Sequence, residues 1–380
     1  MVLSTVELFA GIGGFRVAAE KNGLRTVWAN DIDSTAVAVY KDNFGEDSIT
    51  LGDIHDYVDS IPDHDILTGG FPCQPFSKAG KKQGVADYRG TLFEVIVNIL
   101  EKKKPHFFVL ENVNSLLYMD NGKHFRTILS ALSALDYKIE WRVFNAASFG
   151  LAQHRERVII IGAKNVAFND SFFIEADEVE NIATETLDSI ARYNRWEHIE
   201  QSRGKFKTWG MALNGMFIST DVSERQYAPK IKLSGIVEEN VDPSFDFTVD
   251  TLERIKSSQY VNKFYNGVQI LYNQAGGARM GYSIFGIEGT SPTLTASTSR
   301  HYERYKIGQK FRRLTNIEYA RLQGFPDNHC DVTSPYNQYK LFGNAVPPQM
   351  ISYAFNRILE KKLYHIEKQT FDIFDCVEEI

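Results

Sequence analysis

The sequence is poor in the features that mark several protein classes. It holds only three cysteines in 380 residues (Cys73, Cys330, Cys376), an odd number with no CxxC pair. That usage argues against a disulfide framework or a cysteine-built zinc site, and fits a reducing, cytoplasmic compartment. The apolar run at 158–163 is far too short to span a bilayer, and the N-terminus MVLSTVELFAGIGGF lacks the basic and small-residue parts of a signal peptide. There is no internal repeat and no low-complexity tract. An excess of positive charge is missing too: 42 Lys and Arg stand against 48 Asp and Glu, a net −6, so nothing global advertises a polyanionic partner. What is present is apolar material, 43% of the chain, enough for one large domain or two unequal ones, each with its own core.

Residues 1–163 alternate between two periodicities. Short β-branched runs (Thr5 to Phe9, Thr26 to Ala29, Ile49 to Leu51, Asp65 to Thr68, His106 to Leu110, Lys138 to Phe144, Val158 to Ile161) are separated by helical patterns at Phe15 to Lys21, Thr35 to Phe44, Leu92 to Lys103 and His124 to Leu135. This order predicts βαβ units: an α/β, Rossmann-like, mainly parallel sheet with helices on both faces, its functional loops at the carboxyl ends of the strands. The rhythm stops near residue 165. An acidic stretch to about 202 follows, then short strands and turns over 203–310, which predict a smaller second domain. A helical pattern returns at Asn316 to Leu322, and an amphipathic helix is expected from Pro348 to about Leu363.

The chemistry-bearing residues sit at the predicted strand ends. Glu7-Leu8-Phe9-Ala10-Gly11-Ile12-Gly13-Gly14-Phe15 is a strand running into a glycine turn, where backbone can approach a ligand closely. Asp31, twenty residues past Gly11, ends the second strand, where a carboxylate can accept ribose hydroxyls. The position of the third glycine in a dinucleotide fingerprint is Arg16, which favours a nucleoside cofactor without a pyrophosphate, such as S-adenosylmethionine. Asp53 is placed to accept from an adenine amino group, or to cap a helix. Cys73, in Gly69-Gly70-Phe71-Pro72-Cys73-Gln74-Pro75-Phe76-Ser77, reads either as a small buried hydrophobe or as a nucleophile. A loop with Lys78, Lys81, Lys82 and Arg89 against Asp87 follows it, the electropositive setting a thiolate needs. Glu111 closes the fifth strand at the same rim. Gln153-His154-Arg155-Glu156-Arg157 precedes the strand at 158–161, and alternation sends both arginines to one face.

ELFAGIGGF, GGFPCQPFS, ENV, QHRER, RRLTNIEYARLQGFPD and GNAVPPQM, in this order, resemble the motif series of the cytosine-C5 DNA methyltransferases. The resemblance covers about 3–163 and 311–360, and implies the S-adenosylmethionine-dependent methyltransferase fold with an inserted, strand- and loop-rich target-recognition domain. The implied division is 1–185 catalytic, 186–310 target-recognising, and 311–380 a return segment completing the catalytic domain. It implies Cys73 as the nucleophile on cytosine carbon 6, Glu111 at ring N3, Arg157 at O2, and Arg155 holding the loop or backbone phosphates. The cofactor residues it implies are Phe9, Gly11, Gly13, Gly14, Asp31, Ile32, Asp53, Ile54, Pro72, Leu92 and Asn344, for S-adenosylmethionine with S-adenosylhomocysteine as product. No metal is implied. Ser77, Lys81, Arg279 and Thr293 would meet DNA, the base being flipped out of the duplex.

The implied partner is double-stranded DNA, bound by a monomeric, cytoplasmic, nucleoid-associated protein of a restriction–modification system with a cognate endonuclease. A tRNA cytosine-C5 methyltransferase and a nicotinamide-dependent oxidoreductase are the competing readings. Locally positive segments at 203–232 (six basic residues against two acids) and 300–321 (seven against two) would supply a binding face that the net charge averages away, if they converge on one cleft.

Overall fold

The computed structural model describes residues 2–71, 91–165, 171–174, 196–273, 283–296 and 303–375, with side chains to 361. In chain order the elements are β1 (Ser4–Leu8), α1 (Gly14–Lys21), β2 (Arg25–Asp31), α2 (Ser34–Phe44), β3 (Thr50–Leu51), β4 (Ile66–Gly70), α3 (Leu92–Lys103), β5 (Phe107–Val113), α4 (Lys123–Ser133), β6 (Lys138–Asn145) and β7 (Glu156–Ala163). There follow β8 (Glu197–His198), β9 (Trp209–Leu213), β10 (Met216–Thr220), α5 (Val249–Lys256), β11 (Gln259–Tyr265), β12 (Val268–Asn273), β13 (Ser283–Phe285), β14 (Arg304–Ile307), β15 (Lys310–Arg312), α6 (Asn316–Gln323), α7 (Pro335–Asn344) and α8 (Pro348–Asp375). Among the described residues no helix is long and apolar enough to cross a membrane.

A ten-stranded sheet runs β3-β2-β1-β4-β5-β7-β6-β9-β10-β8. It is parallel from β3 to β5 and antiparallel from β5 onward. Its central strands β4, β5 and β7 are mostly buried, with continuous apolar runs such as Phe107–Leu110 and Val158–Ile161, because both faces are covered there. Leu67, Phe108, Leu110, Val158 and Ile160 point to one face, under α3 and α4. Their neighbours Ile66, Phe107, Val109, Ile159 and Ile161 point to the other, under α1 and α8. The last helix thus packs on the first, which closes the α/β body from both ends of the chain.

The sequence division placed 186–310 in the target-recognising unit; within that range residues 197–220 join the large sheet. Strands β8, β9 and β10 extend the large sheet, β9 pairing antiparallel with β6 from Ile139↔Ala212 to Arg142↔Trp209. The reason is apolar completion. Trp141 is fully buried with Phe125 and Phe206 edge-on to it at 5.1 and 5.9 Å, a cluster the β6 edge could not cover alone. The smaller sheet, β11-β12-β13-β14-β15, starts only at Gln259. A third apolar cluster joins it to the body: Val268, Phe285, Leu294 and Tyr305 pack with Leu314, Tyr319 and Leu322, and reach Ile12 and Val39.

Candidate active site

The glycine turn after β1 is shaped by backbone demands. Phe9, Gly11 and Gly13 have φ of 54°, 55° and 86°, left-handed values that turn the chain from the strand into α1 within five residues. At Gly14 a Cβ would lie 2.4 Å from the Val346 carbonyl oxygen, so only glycine lets the return segment come this close. Two buried groups brace the turn. His329 Nε2 donates to the Ile12 carbonyl at 2.7 Å, its pKa held below the ordinary value by burial. Glu7, 1% exposed, accepts from the Tyr40 hydroxyl at 2.8 Å, and burial pushes its pKa up to about 8.

Asp31 ends β2 beside the turn. Its carboxylate accepts from the Gly11 amide at 2.7 Å and the Asp33 amide at 2.8 Å. Burial raises its pKa and these hydrogen bonds oppose the rise. Ile32 stands 70% exposed next to it, an apolar surface open to a flat ligand.

Glu111, near the end of β5, meets Arg157 across the antiparallel β5–β7 pair. Glu111 lies opposite Ile159, so Arg157 is its diagonal neighbour on the same face, and Arg157 Nε donates to Glu111 Oε1 at 2.8 Å. Both side chains are nearly buried. Arg157 Nη1 also donates to the Glu156 carbonyl at 2.7 Å, which fixes the fork. Beside them Asn112 Nδ2 donates to the Phe71 carbonyl at 2.8 Å, tying the chain that leads to Pro72 and Cys73 to the end of β5.

These groups share one cavity of about 400 Å³, lined by the glycine turn, Asp31, Glu111, Asn112, Arg155, Arg157 and the return segment Gly343–Val346. Of the residues expected to hold a cofactor, Phe9, Gly11, Gly14, Asp31 and Asn344 line it, the last from the end of α7. Gly13 packs under the turn against the Phe44 ring instead. Ile54 is buried in the core, and Leu92, the first residue of α3, packs against that core. Asp53 engages a neighbour through one oxygen, Oδ1, and is half exposed. It caps the short turn Ile54–Asp56 through the His55 amide at 3.0 Å and pairs with His55 Nδ1 at 2.6 Å, and these bonds lower its pKa. Pro72, Cys73, Ser77, Lys81 and Arg279 lie outside the described residues.

Arg155 and Thr293 are placed differently from expectation. Arg155 is 2% exposed, with Nη1 on the Leu294 carbonyl and Nη2 on the Gly343 and Ala345 carbonyls, so these donors are spent inside the protein and not on phosphates. The Thr293 hydroxyl donates to the His154 carbonyl at 2.7 Å. The basic segments are also partly neutralised: Arg312 is buried against Glu318, while Lys207, Lys232 and Arg321 pair with Asp221, Glu288 and Asp327. Segment charge therefore overstated the free positive face.

Sequence reasoning missed Asp33 and Gln153. Asp33 lines the cavity, caps α2 and pairs with Lys340 at 3.0 Å; its position directly before a helix was the available signal. Gln153, fully buried, receives the Leu294 amide at 3.0 Å and donates to the Leu322 carbonyl at 3.1 Å, contacts no local pattern announces.

The architecture is similar to solved methyltransferases. Schizosaccharomyces pombe Dnmt2 superposes with a TM-score of 0.62 at 18% identity, over 95% of this chain and 99% of its own. An Entamoeba histolytica methyltransferase gives 0.63 at 17% identity, over 95% and 98%. In sequence, the type II methyltransferase M1.ScrFI of Lactococcus lactis subsp. cremoris is 34% identical over 96% of this chain and 78% of its own length. M.HhaI of Haemophilus parahaemolyticus is 33% identical over 93% and 94%. The C-5 cytosine-specific DNA methylase family profile matches residues 3–360, and the chain belongs to that family of DNA cytosine-5 methyltransferases.

Proposed function

We propose that the cavity seats S-adenosylmethionine beside a flipped cytosine. The supporting observation is that the glycine turn, the Asp31 carboxylate and the Glu111–Arg157 pair line one space. The residues present fit the cofactor. Gly14 leaves the return segment and the turn in van der Waals reach of each other, Asp31 offers carboxylate oxygen to ribose hydroxyls, Ile32 offers an apolar face to adenine, and Asn344 closes the far side. When bound, S-adenosylmethionine supplies the methyl group that carbon 5 receives. Asp53 would accept from the adenine amino group through Oδ2, since both of its bonds to His55 use Oδ1.

Carbon 5 of cytosine is a poor nucleophile until the ring is made electron-rich. In the proposed mechanism the Cys73 thiolate adds to carbon 6, and the developing charge is met at N3 by Glu111 and at O2 by Arg157. In this step Glu111 acts as the carboxylic acid and gives its proton to N3 while Arg157 donates to O2; their contact at 2.8 Å holds the two side chains next to one another. After transfer, the carbon 5 proton leaves to a base, the electron pair re-forms the 5,6 double bond, and Cys73 departs as thiolate. The base reaches these groups only when flipped from the stack, at a cost of a few kcal/mol. Ser77, Lys81, Arg279 and Thr293 remain the proposed DNA contacts, Thr293 through a hydroxyl that now serves a backbone carbonyl.

Both chain ends build the catalytic body in this reading, and the target-recognising unit carries the smaller sheet, its start moved past Thr220. Double-stranded DNA is the substrate; a monomer on nucleoid DNA in the cytoplasm, paired with an endonuclease of the same specificity, is the proposed setting. The test is direct. Cys73→Ser should lose methyl transfer by roughly 10³-fold or more, and a 5-fluorocytosine duplex should form a covalent adduct with wild type and none with the variant. Bisulfite sequencing of plasmid DNA from expressing cells identifies the site. Full activity of Cys73→Ser would end the reading.

A further inference from the structure

Three stretches distant in sequence meet at Arg155. Segment 152–155 runs beside 291–294: the Ser291 amide donates to the Ala152 carbonyl at 2.7 Å, the His154 amide to the Ser291 carbonyl at 2.8 Å, and the Thr293 hydroxyl to the His154 carbonyl at 2.7 Å. The return segment presses on the same stretch, for a Cβ at Gly343 would lie 2.4 Å from the Thr295 carbonyl oxygen. The Arg155 guanidinium closes the group, with Leu294 at 3.0 Å, Gly343 at 3.2 Å and Ala345 at 2.9 Å. Gly343 and Ala345 flank Asn344, which lines the cavity. Leu294 belongs to the connection between β13 and β14 of the smaller sheet. One planar fork thus touches both the cofactor side and the target side of the molecule, a geometry lysine cannot copy.

We propose that Arg155 is a positioning residue that couples the smaller sheet to the cofactor cavity, so that DNA engagement and cofactor binding strengthen each other. DNA held by the smaller sheet favours one placement of the 291–296 stretch. Through the shared guanidinium this favours one placement of Gly343–Ala345, and so of Asn344. By linkage the effect is reciprocal. The inference rests on reading the cavity as the cofactor seat, and assigns Arg155 neither to the base nor to phosphate. Its fork has two of its three nitrogens on carbonyls, and Nε is buried with no partner.

The experiment measures S-adenosylhomocysteine affinity by calorimetry, with and without a duplex carrying the site found by bisulfite sequencing. Wild type, Arg155→Lys and Arg155→Ala are compared, with thermal midpoints as the fold check. Wild type should bind more tightly with DNA, by a factor in the roughly 5- to 150-fold range common for coupled sites. Arg155→Lys, which keeps the charge, should be folded yet show that ratio reduced to about one. If Arg155→Ala does not fold, the lysine variant alone carries the test. A ratio of one in wild type, or an unchanged ratio in Arg155→Lys, would overturn the proposal. So would an unchanged ratio accompanied by a DNA-binding salt slope lower by about one, since that marks a phosphate contact. Absence of S-adenosylhomocysteine binding by wild type would instead overturn the cofactor reading beneath it.

Discussion

The parallel half of the large sheet and the smaller sheet solve opposite problems. β1 is buried at four of five positions, with β2 and β4 on its edges and helices on both faces. β11, at the edge of the smaller sheet, is exposed at six of seven, and carries Tyr260, Phe264 and Tyr265 into solvent. The first region offers a rigid rim on which the glycine turn, Asp31 and Glu111 hold fixed positions. The second offers surface, with its cohesion concentrated at one end, where it meets α6. In the proposed reading, chemistry is built on burial, and recognition on a sheet that changes side chains at little cost in stability.

The largest effect that would sharpen this contrast lies where the smaller sheet is anchored. Arg312, in β15, and Glu318, in α6, are 2% and 0% exposed and joined at 2.6 and 2.8 Å, and Glu318 also receives the Glu238 and Thr315 amides. Glu318→Ala should cost about 3–5 kcal/mol by urea denaturation, since it strands a buried guanidinium. A loss below about 1 kcal/mol would show that the sheet's cohesion lies elsewhere.

Next is a pH effect beneath the glycine turn. The folded pKa of Glu7, about 8, lies above the ordinary 4.5 because of burial, opposed by the Tyr40 hydroxyl and Arg16. The folded state therefore holds this proton longer than the unfolded chain does, so the contribution is complete below about pH 4.5 and is lost as pH rises toward about 8. Glu7→Gln should flatten the decline in thermal midpoint between pH 5 and pH 8, a difference on the order of a few kcal/mol. Parallel slopes in the two proteins would refute it.

Gly14→Ala is smaller in stability, about 1–3 kcal/mol of overpacking against Val346, with cofactor affinity falling more than that loss would suggest. Calorimetry alongside thermal melting separates the two. Least of all, Tyr265→Ser on exposed β11 should shift stability by no more than about 0.5 kcal/mol. A larger shift would blur the contrast between the two sheets.

Much of the body was legible in local pattern. Runs such as His106–Leu110 and Val158–Ile161 are almost wholly apolar, which a strand covered on both faces requires, and their ends fall within three residues of the observed strands. The membership of β8, β9 and β10 was not legible. Residues 197–220 are separated from β6 by the acidic stretch, and they join the large sheet through the β6–β9 pairing, which lies over the buried cluster of Trp141, Phe125 and Phe206. Asp53 shows the same limit at the site: its type and position suit either an adenine acceptor or a turn cap, and in the fold His55 two residues away takes Oδ1.

The sequence by itself determined the family, the alternation of strand and helix, the glycine turn and the residue types at each strand end, because these follow from periodicity, backbone demand and ordered motifs along the chain. Tertiary structure alone decided how those residues are used. Glu111 finds Arg157 only across an antiparallel pair, and the Arg155 fork closes on Leu294, Gly343 and Ala345, some 139 to 190 residues away. A side chain's hydrogen-bond partners depend on which distant backbone groups are buried beside it, and spacing along the chain carries no record of that.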